Sequence, residues 1–200
     1  MPWGYTLAHF LLLGRIYERL GLDQARGCLY GAAPLKESTR EYFISLGVPL
    51  LNSYGMTEST GPTTVNPEDL IKLETAGTAM FGTDLMIYKP EENGEGEICF
   101  RGRNSFMGYL KNEQANREIL DEDGYIHSGD IGRVDEDNYL KITGRVKELI
   151  ITAGGENVAP VPIEEMLKNV CPVVSNAVLI GDDRKYLTML ITLQTEIDMS

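Results

Sequence analysis

The arrangement that most constrains this chain is a short apolar strand, a helix and a second strand, with each strand running out into small residues. Gly27-Cys28-Leu29-Tyr30 reads as a buried strand that enters a tight turn at Gly31-Ala32-Ala33-Pro34. Residues 35–46 then set Leu35, Thr39, Tyr42, Phe43 and Leu46 at helical spacing, and Gly47 closes the helix. Residues 48–53 form the second strand. So short a connection predicts parallel pairing and a right-handed crossover. Both strand ends then point the same way, and in open α/β sheets ligands gather at such ends. The predicted class is α/β.

Beyond Gly61 the pattern changes. Residues 84–89 and 97–101 read as strands around the acidic, glycine-containing turn 91–96, a hairpin signal. A short helix covers 113–120. Strands 131–134 and 139–143 flank Asp135-Glu136-Asp137-Asn138, a second hairpin. After a seam at 144–147 the expected order is strand 148–152, helix 162–170, strand 175–181 and strand 186–193. The apolar run Leu7 to Leu13 contains His9 and is far shorter than the ~18 residues of a membrane span. It lacks a basic flank, so it reads as part of an amphipathic helix over 6–20 rather than as a signal peptide. Peripheral contact of that helix with an intracellular membrane stays open.

Charge narrows the function. The net charge of −12 leaves no basic face to neutralise a phosphate backbone, which argues against nucleic acid. It does not argue against a nucleotide, because a bound magnesium ion dominates its own surroundings. Cys28, Cys99 and Cys171 are odd in number, widely spaced and without metal-ligand spacing. They read as reduced thiols of a cytoplasmic protein. With His9 the one other histidine, no Cys/His metal cluster is expected, and His127 is given no proton-transfer role.

Three short stretches carry chemistry. Tyr54-Gly55-Met56-Thr57-Glu58 lies on the loop after a buried strand. Tyr54 offers a flat face for adenine, Thr57 a hydroxyl to phosphate, and Glu58 a hard oxygen for Mg²⁺. The plainer reading is a polar turn. Asp130 follows Gly129 at a strand start, where its carboxylate can accept both ribose hydroxyls, or it is a turn aspartate. Arg145 can reach the same ribose or a phosphate, or pair on the surface with Glu148. Two glycine-containing turns are weaker signals. Gly31 to Pro34 admits a close backbone approach to a purine, or is a strand end before a proline-started helix. Gly154 and Gly155 permit passage of a thin ligand such as a pantetheine arm, or are a strand-to-helix turn leading to Pro162.

Together these stretches resemble the adenylate-forming superfamily of acyl-CoA synthetases, luciferases and peptide-synthetase adenylation domains. The resemblance rests on Tyr54 to Glu58, on Gly96-Glu97-Ile98-Cys99-Phe100-Arg101-Gly102 running on to Gly108-Tyr109, on Ser128-Gly129-Asp130, and on Gly144-Arg145-Val146-Lys147-Glu148-Leu149-Ile150. Four blocks in family order far exceed one motif match. Lys147 and residues 150–165 and 175–182 look most like long-chain, bubblegum-type acyl-CoA synthetases.

The resemblance implies a two-step ligase using ATP, Mg²⁺, a fatty acid and CoA. The fatty carboxylate attacks the α-phosphate to give acyl-AMP, and the CoA thiol then displaces AMP. It implies that Gly31, Ala32, Ala33, Pro34, Tyr54, Gly55 and Met56 form the nucleotide cleft. It further implies that Thr57 touches phosphate, Glu58 binds Mg²⁺, and Asp130 with Arg145 holds ribose. Lys147 becomes the pivot of a small C-terminal domain, and Gly154 and Gly155 line the CoA approach. The implied fold is a parallel α/β sheet portion with a β-hairpin subdomain over 1–146, then the start of a small α+β domain over 147–200. The family's N-terminal phosphate loop and its C-terminal catalytic lysine have no match here, since Lys168 and Lys185 stand in other contexts. The chain is therefore expected to be an internal portion of a longer ligase. A catalytically inactive AMP- or ATP-binding module is the alternative, which the missing lysines favour. Activation of an aryl or short-chain acid is a third, against which Lys147 and residues 154–165 speak.

Overall fold

The computed structural model describes residues 4, 9–33 and 35–195. The helix expected over 6–20 appears within these as a π-helical turn, His9–Leu13, continuing into α1, Gly14–Leu20. Residues 6–8 of that expectation, and Pro34, lie outside the described residues. No helix among the described residues is long and apolar enough to cross a membrane.

The strand–helix–strand unit is present. β1 (Cys28–Gly31) pairs in parallel with β2 (Leu50–Met56), and α2 (Glu37–Ser45) connects them. The sheet does not continue in parallel, however. β3 (Gly61–Val65) returns antiparallel to β2, and the two-residue β4 (Thr78–Ala79) follows antiparallel to β3. The parallel sheet portion is therefore one parallel pair within a mixed sheet ordered β1-β2-β3-β4. Gly31 matters to that pairing: a Cβ there would stand 2.5 Å from the Ser53 carbonyl oxygen across the ladder. Its smallness is thus already required by strand packing.

A second, antiparallel sheet is ordered β5-β6-β7-β8. Its strands are Thr83–Tyr88, Gly96–Gly102, Ile126–Val134 and Leu140–Arg145. The short helix α3 (Glu113–Ile119) precedes β7, and the Asn112 side chain caps it by accepting from the Ala115 N–H. Ile98, Cys99 and Phe100 on β6 are buried in succession rather than alternately, as suits a central strand covered on both faces. Tyr54, Ala76, Ile98 and Leu140 form one cluster, with Leu85 and Ile87 packed against it. That cluster joins the two sheets. The backbone does the same where the Ala76 N–H donates to the Leu140 carbonyl at 2.7 Å and the Leu140 N–H to Gly77 at 2.8 Å.

After the seam come β9 (Ile150–Ile151), β10 (Asn157–Val158), α4 (Pro160–Val170), β11 (Val174–Ile180) and β12 (Thr188–Leu193). The expected strand–helix–strand–strand order gains a strand, because Asn157 and Val158 fold back on Ile151 and Ile150. Helix α4 begins at Pro160 rather than Pro162, since proline loses no hydrogen bond in the first helical turn.

Candidate functional site

Tyr54, Asp130 and Arg145 meet. They arrive on β2, β7 and β8. The Tyr54 hydroxyl donates to Oδ2 of Asp130 at 2.8 Å. The Arg145 Nε lies 3.0 Å from Oδ1 of the same carboxylate. Asp130 is 15% exposed and Arg145 63%, so the acid sits recessed behind its guanidinium partner. Arg145 therefore reaches Asp130, not the surface partner Glu148. Tyr54 is 9% exposed, its ring being part of the inter-sheet cluster. Burial above all holds its hydroxyl well above its ordinary pKa, in the neutral form that donates.

Asp130 does not stand at a strand start. It lies inside the nine-residue β7, whose ladder to β6 is interrupted between Glu97–Ile131 and Cys99–His127. Across that gap Ile98 alone faces Ser128, Gly129 and Asp130. Gly129 has φ +72°, a left-handed conformation that a bulge needs and that glycine adopts at little cost. The residue pair that looks like a turn in sequence is thus a strand bulge.

Thr57 and Glu58 follow β2 in a single 3₁₀ turn, Thr57–Ser59. Ser59 is buried and fastens the turn, accepting from the Met56 N–H and donating to the Gly61 carbonyl. The Glu58 carbonyl accepts from the Phe106 N–H at 2.8 Å, and Oε1 of Glu58 accepts from the Tyr109 hydroxyl. That bond, first, pushes the Tyr109 hydroxyl up to about 12. Thr57 is exposed. Glu58 belongs to the group through β2, not through a direct contact with Asp130 or Arg145. Its second carboxylate oxygen suits a hard divalent cation, so the donor chemistry fits Mg²⁺.

The remaining predicted residues lie apart from this contact. Gly31, Ala32 and Ala33 are exposed at the end of β1, beside β2. Gly55 and Met56 complete β2 between Tyr54 and the 3₁₀ turn. Lys147 is exposed in the 3₁₀ turn Val146–Glu148 between β8 and β9. Gly154 and Gly155 are exposed at the tip of the β9–β10 hairpin, not in a strand-to-helix turn. A cavity of about 240 Å³ is lined by residues such as Lys89, Glu91, Gly96, Thr143, Leu149 and Asn157. Its lining includes Ile131 and Val146, next in the chain to Asp130 and Arg145, but not Tyr54, Asp130 or Arg145 themselves.

One expectation about Cys99 and His127 is corrected. The cysteine and histidine do come together: Sγ of Cys99 lies 3.5 Å from Nδ1 of His127, and Glu97 joins them with the ligand atoms all within 4.8 Å. Burial pushes the Cys99 thiol up to about 12, with Glu97 and Asp121 adding to it, so it keeps its proton. Glu97 accepts from the Gly129 N–H with one oxygen and lies against His127 with the other. Sequence reading missed Tyr109 and Glu97 as contributors. Both stand in the Gly96 to Tyr109 block, which was the available signal.

A model described as AMP-binding enzyme matches residues 6–110, and one described as AMP-binding enzyme C-terminal domain matches 147–200. The chain is 49% identical to the long-chain-fatty-acid–CoA ligase ACSBG2 of Gallus gallus over 97% of its length, covering 25% of that protein. It is 46% identical to the long-chain-fatty-acid–CoA ligase ACSBG1 of Rattus norvegicus over 96% of its length, covering 27% of that protein. The chain thus spans little more than a quarter of these relatives. An ATP-bound RpMatB-BxBclM chimera aligns at TM-score 0.74 and 32% identity, over 88% of this chain and 37% of that one. O-succinylbenzoate coenzyme A synthetase (MenE) of Bacillus subtilis, in complex with ATP and magnesium, aligns at 0.73 and 27% identity, over 92% and 40%.

Proposed function

The chain belongs to the AMP-binding enzyme family, and we propose that it is the nucleotide-holding portion of a ligase that activates a long-chain fatty acid to acyl-AMP and then to acyl-CoA. The observation that carries this reading is the meeting of Tyr54, Asp130 and Arg145 from three strands. A carboxylate offers about four lone-pair sites. Tyr54 and Arg145 each occupy one oxygen, which leaves a lone pair on each for the two ribose hydroxyls. The long-chain substrate is supported by relatives named as long-chain-fatty-acid–CoA ligases, at 42% to 49% identity.

In this reading the fatty carboxylate oxygen attacks the α-phosphorus and pyrophosphate leaves. Asp130 and Arg145 hold the ribose, while the small residues Gly31, Ala32 and Ala33, with Tyr54, Gly55 and Met56, border the purine. Thr57 offers its exposed hydroxyl to phosphate. The chemistry that Mg²⁺ supplies when bound is neutralisation of charge at the phosphates, and Glu58 holds it through a hard oxygen. In the second step the CoA sulfur attacks the acyl carbonyl carbon and AMP departs. Lys147 serves as the pivot between a larger unit, 1–146, and the segment 147–200, and the hairpin tip at Gly154 and Gly155 borders the CoA approach. The position of Lys147 in an exposed three-residue turn between β8 and β9 supports the pivot, because hinges fall at such connections.

The test is isothermal titration of the chain with AMP and ATP, followed by ATP–pyrophosphate exchange with palmitate. Binding with exchange supports the ligase reading for this chain itself. Binding without exchange supports the inactive nucleotide module. No binding of either nucleotide overturns both.

A further inference from the structure

We propose that Glu97 is a positioning residue that braces the β7 bulge and thereby fixes the face on which Asp130 presents its carboxylate. The inference rests on the reading of Asp130 as the ribose ligand. Glu97 is 22% exposed and stands at the start of β6, one residue before the interruption in the ladder. Its Oε1 accepts from the Gly129 N–H at 3.0 Å, and its Oε2 lies 2.8 Å from Nδ1 of His127. A carboxylate only accepts, so the His127 proton sits on Nδ1. One acid thus clasps both sides of Ser128.

Ser128 completes the clasp from the other direction. Its hydroxyl donates to the Ile98 carbonyl at 2.6 Å and accepts from the Asp130 N–H at 3.1 Å. The bulged residues therefore find in side chains the partners that the ladder denies them. The consequence is directional. In a strand, a slip of one residue turns every side chain to the opposite face. With the bulge in place, Asp130 faces Tyr54 and Arg145; with the bulge relaxed, it turns away from both. Glu97 touches neither partner of Asp130, so it acts through the Gly129 N–H and the His127 side chain.

The experiment measures AMP affinity by isothermal titration calorimetry for the 200-residue chain and for Glu97→Leu, Glu97→Gln, Asp130→Ala and the Glu97→Leu/Asp130→Ala double variant. Amide hydrogen exchange of the 126–131 peptide is followed in parallel, without nucleotide. Losing a charge-assisted bond should make Glu97→Leu bind AMP about tenfold more weakly. Glu97→Gln keeps an acceptor for the Gly129 N–H and should bind close to the wild type. The double variant should bind no more weakly than Asp130→Ala, because both changes remove the same carboxylate from the site. Additive losses, or a Glu97→Leu chain that binds like the wild type while Asp130→Ala does not, would overturn the proposal and leave the ribose reading standing. A wild-type chain that binds no AMP would overturn the ribose reading, and exchange then decides the brace by itself: faster exchange at 127–130 in Glu97→Leu supports it, unchanged exchange sinks it. If Glu97→Leu does not fold, Glu97→Ala removes the same two acceptor oxygens and must show the same weakened binding and faster exchange.

Discussion

Asp130 and Arg145 are direct cross-strand partners on β7 and β8, and their side chains close to 3.0 Å. The contact divides two roles that are often merged. Arg145 is largely exposed, so its ion pair adds little to folding, within about 1 kcal/mol. Tyr54 is buried, and removing its hydroxyl strips a recessed carboxylate of a donor, at about 1–2 kcal/mol. Arg145→Leu should therefore leave the urea midpoint nearly unchanged while weakening AMP binding. Tyr54→Phe should lower both. Equal stability losses in the two variants would count against this division.

Glu58 and Tyr109 form a second linked pair, 51 residues apart. The tyrosine hydroxyl orients one oxygen of the acid and leaves the other free for a cation. Glu58→Gln should remove the part of ATP affinity that depends on Mg²⁺ and spare AMP. Tyr109→Phe takes away a partner that orients the ligand, and such losses cost about tenfold in metal affinity. Titrating ATP with and without Mg²⁺ checks this. A Glu58→Gln chain whose ATP affinity still rises with Mg²⁺ as in the wild type would remove the metal role.

The first strand–helix–strand unit was legible because its signals are local: an apolar run, helical spacing and a closing glycine. β3 and β4 were not. Gly61-Pro62-Thr63-Thr64-Val65 begins with two residues that usually mark a turn, and Thr78–Ala79 is too short to show a period. Both exist because remote partners select them. Thr63 donates to the Tyr54 carbonyl, and Thr64 donates to Ala76. The same logic separates the residues of the site. Motif spacing carries Tyr54, Asp130 and Arg145, whereas Glu97 depends on the offset at which β6 meets β7. Gly129 followed by aspartate looks like a turn until the neighbouring strand is known.

Cys99 supplies a prediction with a definite sign. Burial raises its thiol from an ordinary value of 9.0 to about 12. Between those values the unfolded chain releases the proton and the folded chain keeps it. Stability from this group is thus fully present below the unfolded pKa and is lost as pH rises toward the folded one. Urea midpoints measured across that alkaline window should fall less steeply in Cys99→Ala than in the wild type. In the native chain at about pH 8, a thiol reagent should reach Cys28 and Cys171 readily and Cys99 only on unfolding. Prompt reaction of all three thiols would show that the β6–β7 face opens easily.

Lys72 gives the complementary case at the acid end. Its ammonium lies 2.6 Å from Asp135 and 3.0 Å from Asp137, tying the segment before β4 to the β7–β8 turn. The Lys72 hydrogen bond, first, holds the Asp135 carboxyl below its ordinary pKa, and the Tyr139 N–H assists. A depressed acid stabilises the fold above its unfolded pKa, and that contribution fades as pH falls through the folded value. Lys72 is itself raised, chiefly by its bond to Asp135, so its share persists until strongly alkaline pH. Lys72→Met should therefore lower stability at neutral pH and flatten the acid limb below the carboxylate range. These groups are exposed, so molar salt should erase most of the difference between variant and wild type. A difference that survives molar salt would place the effect in packing of the Lys72 stem over the Tyr139 ring, 5.3 Å from its ammonium, rather than in charge.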